Sequence, residues 1–203
     1  VSVARFAQPA GVPIISFSND IGVAGRNVFL MGHIPGQSID RIVKYARSKG
    51  ATNFAGIVTK NVYGQRASSD LARSVRDAGG RLVQVEEIGS SRSSINTAAR
   101  NLGRAGTIDA VLIAAGGKTA IPTIPALRSN GLRNAKILGT DRWNVASSLA
   151  GSNAAYGAWF ASVADGLYNQ YAGKYRARFG SSPIRLSSLG YDSILLVARA
   201  TQN

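Results

Sequence analysis

The residues of this 203-residue sequence that could contact a ligand lie where short β-branched runs end. They are Ser16, Ser18, Asn19, Tyr63, Gly116, Gly117, Asp141 and Trp143. Hydroxyl and amide groups can hold a carboxylate, an acid can pair with an ammonium group, and aromatic rings can cover a small molecule. Paired glycines let the backbone turn sharply or approach a ligand closely. Because ligands bind beyond the carboxyl ends of strands in open parallel sheets, we expect a cleft that holds a small polar molecule.

Most of these residues also have a purely structural interpretation, which the sequence leaves open. Ser16, Ser18 and Asn19 could stabilise a turn through local hydrogen bonds. Asp141 stands where the N-cap of a helix would be. The ring of Tyr63 could serve packing alone.

Residues that could catalyse a reaction are scarce in this sequence. His33 is the only histidine and there is no cysteine, which excludes multi-histidine and thiolate metal sites. Neither Ser16 nor Ser18 lies in a G-x-S-x-G motif. The stretch AAGGKT at 114–119 suggests a phosphate-binding loop, but Leu112 stands where that motif needs its first glycine. We therefore expect no enzyme activity, no catalytic residue, no metal and no cofactor.

The charge of the chain is strongly positive, with 24 Lys and Arg against 10 Asp and Glu and a formal net charge of +14. Such an excess usually indicates an acidic partner. The cations form no run, however, and no nucleic-acid-binding motif accompanies them, so we expect no nucleic-acid partner. A solvated basic surface and an attraction to an acidic partner both remain open. No apolar stretch approaches the roughly 20 residues that a membrane span needs.

Strand and helix patterns alternate along the whole chain, which predicts an α/β fold with a parallel sheet. Amphipathic spacing predicts helices at about 38–48, 66–78, 93–102, 121–129, 165–179 and 188–201. Apolar runs predict strands at 14–19, 27–32, 54–59, 81–88, 109–114, 135–139 and 156–163.

Five motifs together resemble the leucine-type periplasmic binding protein family, which has the type I fold. They are, in chain order, GVPIISFSND, VFLMG, NVYG, GTDRW and GYD. The resemblance implies two doubly wound parallel-sheet lobes, joined by a hinge, that close on a ligand in the cleft between them. It assigns residues 1–34 and 163–203 to the first lobe and 35–162 to the second. Family members are longer, so we expect this chain to be incomplete at both ends and its first lobe to be partial.

The resemblance also implies a function: a non-catalytic receptor in the periplasm that delivers a small polar ligand, such as an amino acid, to an ABC transporter permease. It places contacts to the ligand's carboxylate and amino group near Ser16, Ser18 and Asn19. Tyr63 and Asp141 match the aromatic and acidic positions of the second lobe. Gly117 stands where some members have a second aromatic residue, which departs from the amino-acid-binding pattern.

A second branch of the fold is an alternative. The segments FSND, VFLMG and YG also resemble those of the penicillin-binding protein activators. The resemblance to that branch implies an envelope lipoprotein, anchored through a segment outside this chain, that binds a peptidoglycan synthase instead of a transport ligand. The effector domain of LacI-type repressors shares the fold as well, but the sequence has no DNA-binding headpiece.

Overall fold

The computed structural model describes residues 2–144, 149, 151–163 and 165–202. Contacts between Cα atoms divide the chain into two compact units. The first unit comprises Val1–Ile34 and Val163–Asn203, and the second is Pro35–Ser162.

Helices and strands alternate through both units, which confirms the predicted parallel α/β fold. The helices are α1 (Ser2–Ala7), α2 (Pro35–Ser48), α3 (Val62–Asp77), α4 (Arg92–Arg104), α5 (Gly117–Ser129), α6 (Asp165–Phe179) and α7 (Ser187–Ala200). The strands are β1 (Ile14–Ser16), β2 (Val28–Leu30), β3 (Asn53–Thr59), β4 (Arg81–Ile88), β5 (Ala110–Ala114), β6 (Lys136–Gly139) and β7 (Trp159–Phe160). Short 3₁₀ turns lie at Ile21–Val23, Asp141–Trp143 and Asn153–Ala155. Within the described ranges, no helix is long and apolar enough to cross a membrane.

The second unit is built on a five-stranded, fully parallel sheet in the order β4-β3-β5-β6-β7. Its central strands are apolar on both faces because helices cover both sides. Phe54 and Val58 of β3 point to the face that α2 and α3 cover, whereas Ile57 points to the face that α4 and α5 cover. These alternating directions give the unit two cores, one on each side of the sheet.

The first unit contains the two-stranded parallel sheet β1-β2 and the helices α1, α6 and α7. Helices α6 and α7 meet through the rings of Tyr171 and Tyr191, whose centroids are 5.1 Å apart. The hydroxyls of Tyr171 and Ser187 also hydrogen-bond at 2.8 Å. Leu167 and Ile194 on the same two helices are 77% and 69% exposed, so much of the apolar surface of this unit is uncovered.

Several predicted boundaries are wrong, and local chemistry explains most of them. Helix α2 begins at Pro35 instead of near 38, because a proline fits the first turn of a helix, where no N–H partner is needed. Helix α3 begins at Val62 instead of 66, because the side chain of Asn61 caps it by accepting the N–H of Gly64 at 3.0 Å. Helix α5 begins at Gly117 instead of 121. Strand β7 has two residues where 156–163 was predicted, and helix α1 was not predicted.

Asp109, just before β5, ties the starts of two neighbouring strands together. Its Oδ2 accepts the backbone N–H groups of Asn53 at 2.7 Å and Thr52 at 2.9 Å, and the amide of Asn53 at 3.1 Å. The backbone bond from Asn53, followed by that from Thr52, lowers the pKa of Asp109 from its ordinary 3.8. The carboxylate therefore stabilises the fold in its ionised form.

We expect Asp109→Ala to lower the free energy of unfolding by about 1.5 kcal/mol at neutral pH, because two backbone donors lose their charged acceptor. The loss depends on pH. Since the folded-state pKa is lowered, the stabilisation is complete above 3.8 and disappears as the pH falls through the folded-state pKa. Urea denaturation of wild type and variant across acidic and neutral pH measures the difference. The exposed Glu87→Ala is the control, and equal losses from both variants at neutral pH would contradict the assignment.

Candidate ligand-binding site

The carboxyl ends of β3, β5 and β6 lie at one edge of the five-stranded sheet because these neighbouring strands are parallel. Each strand passes through a short loop into a helical segment. Tyr63 lies in the first turn of α3 and Gly116 just before α5, while Asp141 and Trp143 lie in the 3₁₀ turn after β6. The fold therefore brings these predicted residues of the second unit to one edge.

Tyr63 is held in place from two sides. Its hydroxyl and that of Thr140, which is fully buried, hydrogen-bond to each other at 3.0 Å. The guanidinium of Arg142 lies over the Tyr63 ring, 4.4 Å from its centroid, in a cation–π contact. Burial raises the pKa of Tyr63 above its usual 10.0, although the bond to Thr140 opposes this shift. The phenol is therefore neutral at physiological pH and can donate or accept a hydrogen bond.

Asp141 contacts Ser38 at the start of α2, which is 103 residues away in the sequence. The Ser38 hydroxyl lies 3.1 Å from Asp141 Oδ1 and accepts the backbone N–H of Asp141 at 3.4 Å. The same hydroxyl lies 2.9 Å from the carbonyl of Pro35, so two acceptors share its single proton. The N-cap alternative for Asp141 is wrong, because Thr140 occupies that position and makes no side-chain capping bond. The half-buried Asp141 carboxylate keeps acceptor capacity for a cationic group.

Trp143 is not at the surface, where a ligand-covering ring would have to lie. The residue is 5% exposed and belongs to the core beside α4 and α5. Its indole N–H donates to the carbonyl of Ala115 at 3.0 Å, which joins the ends of β5 and β6. The prediction that Trp143 covers a ligand is therefore wrong. Trp143 packs in the core beneath the carboxyl ends of β5 and β6.

The two glycines after β5 do not need the conformational freedom that the sequence suggested. Gly116 has φ −72°, which any residue adopts, and Gly117 is the buried first residue of α5. A Cβ at Gly116 would meet no atom within 4 Å, so there is open space beside this strand end. The prediction of a sharp glycine turn is therefore wrong, whereas a close approach by a ligand remains a prediction.

Ser16, Ser18 and Asn19 belong to the first unit and follow β1. The Ser16 hydroxyl accepts the backbone N–H of Ser18 at 3.2 Å, and the Ser18 hydroxyl accepts that of Asp20 at 3.0 Å. These bonds form the local turn that was the structural alternative. Each hydroxyl still has a proton to donate, and the side chain of Asn19 is exposed, so a role in binding remains a prediction.

Sequence reasoning missed three residues of the second-unit site: Ser38, Thr140 and Arg142. The motif GTDRW contains two of them, but their roles depend on long-range contacts with Tyr63. Ser38 gave no signal, because its partner is 103 residues away. No group of three His, Asp or Glu side chains that could hold a metal occurs in the part of the chain that the structure describes.

We expect Tyr63→Phe to lower the free energy of unfolding by about 1 kcal/mol, because the buried Thr140 hydroxyl loses its partner. Tyr156, which is 93% exposed, supplies the matched control: Tyr156→Phe should leave stability unchanged. Urea denaturation of the two variants makes the comparison. A Tyr63→Phe protein as stable as the control would show that the bond to Thr140 contributes nothing to stability.

Comparison with known proteins gives one family and many structures. A model of the periplasmic binding protein family matches residues 1–203. No curated protein matches the chain. A solute-binding protein of an ABC transporter from Rhodopseudomonas palustris BisB5, in complex with 3,4-dihydroxybenzoic acid, is 19% identical with a TM-score of 0.72, and the match covers 98% of this chain and 58% of that one.

Two further solved structures match over the same share of the chain. An extracellular ligand-binding receptor from Rhodopseudomonas palustris HaA2 is 21% identical with a TM-score of 0.74, and 61% of it is covered. A substrate-binding protein from Desulfitobacterium hafniense in complex with Leu is 16% identical with a TM-score of 0.70, and 60% of it is covered. At such identities the likeness shows the fold, and the chain spans about three fifths of the length of these proteins. Nothing in these comparisons supports the penicillin-binding protein activator alternative.

Proposed function

This chain belongs to the periplasmic binding protein family and shares the type I fold of the solved structures that it matches, and on that premise we propose that it is a non-catalytic receptor for a small polar solute. The proposed location is outside the cytoplasm, and the proposed partner is the permease of an ABC transporter. The likeness to solute-binding proteins of ABC transporters supports both parts of this proposal. The chain spans about three fifths of the length of those proteins, and the transport role is part of this proposal.

The observation that carries the proposal is the meeting of Tyr63, Asp141 and Arg142 at the carboxyl edge of the sheet. An aromatic ring, a carboxylate and a guanidinium lie together there, just after strands β3 and β6, whose residues are mostly buried. Sites of this kind recognise small molecules through an apolar surface and a few polar groups in fixed positions. No reacting nucleophile and base are paired among these residues, so the arrangement suits binding.

The charges at this edge favour a zwitterionic solute. Arg142 stacks on Tyr63 and its side chain is exposed, which leaves its N–H groups able to bind a carboxylate. Asp141 is partly satisfied by Ser38 and can accept from an ammonium group. We therefore propose an amino acid as the solute class. The role of Ser16, Ser18 and Asn19 in binding a carboxylate is a separate proposal for the first unit.

A thermal-shift screen of the 203-residue chain tests the function. The probes are L-leucine, isocaproate (which lacks the ammonium group), leucine methyl ester (which lacks the carboxylate) and 3,4-dihydroxybenzoate, the acid bound in one similar structure. A solute at a hundred times its dissociation constant stabilises a fold by about 2.7 kcal/mol, which raises the melting temperature by several degrees.

The expected result is stabilisation by L-leucine and not by its two truncated analogues. Stabilisation by 3,4-dihydroxybenzoate alone would keep the receptor function but contradict the amino-acid class. A cooperative melting transition that none of these probes or the other common amino acids shifts would contradict the receptor function itself.

A further inference from the structure

The two helical layers of the second unit differ in how their charges are balanced. Helices α2 and α3 on one face of the sheet carry acids among their cations. Ion pairs in this layer include Lys44–Asp40 at 2.8 Å, Arg73–Asp70 at 2.6 Å and Arg76–Asp77 at 3.3 Å. The positive charge of this layer is therefore partly neutralised within the layer itself.

Helices α4 and α5 on the opposite face contain no Asp or Glu. Their cations, with the one that follows α5, are Arg92, Arg100, Arg104, Lys118, Arg128 and Arg133. Arg128 is anchored by donating to the carbonyls of Leu132 and Ala135, and the other five are exposed. Glu86 of β4, which lies next to this layer, accepts a hydrogen bond from the side-chain amide of Asn101 at 2.9 Å. Among the described residues, the α4–α5 layer therefore presents cations without paired carboxylates.

The exposed surface of the α4–α5 layer is also free of large apolar side chains. No exposed large hydrophobic residue of the described chain falls between Tyr45 and Tyr156 except Val62, which lies on α3. Protein interfaces usually centre on buried aromatic or aliphatic anchors, which this layer lacks. It also lacks the exposed aromatic rings on which single-stranded nucleic acids stack. The α4–α5 layer is therefore a polar surface with well-separated cations. Such a surface can bind a partner that presents many small anionic groups side by side.

We propose that the α4–α5 layer binds the headgroups of anionic phospholipids. Arg92 and Arg104 stand at the two ends of α4, about 18 Å apart along the helix axis. Cations spread over such a distance contact several headgroups at once, and their attractions add. The contact needs no apolar insertion, so salt weakens it strongly. A receptor held near a membrane surface in this way stays close to a membrane-bound partner.

A vesicle flotation assay on the full 203-residue chain tests the proposal. The vesicles contain either phosphatidylcholine alone or phosphatidylcholine mixed with phosphatidylglycerol, at low and high salt. The test variant combines Arg92→Gln, Arg100→Gln and Arg104→Gln on α4. The matched control combines Arg41→Gln, Lys44→Gln and Lys49→Gln on or just after α2, so both variants lose the same net charge from exposed positions.

The wild type is expected to bind the mixed vesicles at low salt and to dissociate at high salt. The partition coefficient of the α4 variant on the mixed vesicles should be lower than that of the wild type by about tenfold or more. That of the α2 control should stay within about twofold of the wild type. Melting curves establish that both triple variants fold. If one of them does not fold, the single variants Arg92→Gln and Arg41→Gln repeat the comparison.

Three results would overturn the proposal. Equal losses from the α4 and α2 variants would show that net charge alone drives binding. Equal binding to both vesicle types, or no binding to either type, would contradict a contact with anionic headgroups. Binding of the chain to duplex DNA with the same α4 dependence, but without vesicle binding, would assign the layer to a different polyanion.

Discussion

Gly139→Ala is expected to lower the free energy of unfolding by about 3 kcal/mol, because the added carbon has no room. A Cβ on Gly139, the last residue of β6, would stand 2.3–2.7 Å from ring carbons of Trp143. That ring cannot move away easily, since it is buried and its N–H is bonded to Ala115. The substitution would therefore displace the turn that contains Asp141 and Trp143, as well as destabilise the core.

Two further variants make this result specific. Gly151→Ala adds the same carbon where no atom lies within 4 Å, and it should change stability by less than about 0.5 kcal/mol. In the background of Trp143→Ala the clash is absent, so the cost of Gly139→Ala should fall below about 1 kcal/mol. Urea denaturation measures the wild type, Gly139→Ala, Gly151→Ala, Trp143→Ala and the double variant. Additive losses in the double variant would show that Gly139 and Trp143 do not conflict.

Asp141→Asn is expected to weaken the binding of L-leucine about tenfold to a hundredfold. The amide keeps the size of the side chain and can still accept from Ser38, so the fold should be unchanged, but the charge that pairs with an ammonium group is lost. Isothermal titration calorimetry measures the affinity. Asp40→Asn, at a partly exposed acid paired with Lys44 on α2, is the control and should bind as the wild type does. If the Asp141→Asn protein binds leucine as tightly as the wild type, Asp141 does not bind the ammonium group of the ligand.

Local sequence patterns were sufficient for the alternation of elements and for the central strands. Strands β3 and β5 are continuous apolar runs because helices cover both faces of the sheet, and that signal is contained in the sequence itself. The five motifs also indicated the family, which the match over residues 1–203 confirms. Helix starts were predicted less well, since Pro35 and Asn61 begin helices several residues before their apolar stripes become visible.

The details of the site could not be predicted because they depend on contacts between distant parts of the chain. Nothing near Ser38 in the sequence indicates that its partner is Asp141, and nothing near Thr140 indicates Tyr63. Trp143 was expected to contact a ligand because it follows a strand end, where both functional and packing residues occur. Its burial is decided by the space over Gly139 and by the carbonyl of Ala115, neither of which a local pattern reveals.

Amide chemical-shift mapping can show whether a small solute binds at the carboxyl edge of the five-stranded sheet. A titration of the isotope-labelled chain with L-leucine should shift the amide signals of residues 61–64, 115–119 and 140–144 in a saturable way. The amides at the opposite edge, around Thr52 and Asp109, should not shift. Saturable shifts at that opposite edge, or a spectrum that leucine leaves unchanged at every residue of the second unit, would contradict binding at the carboxyl edge.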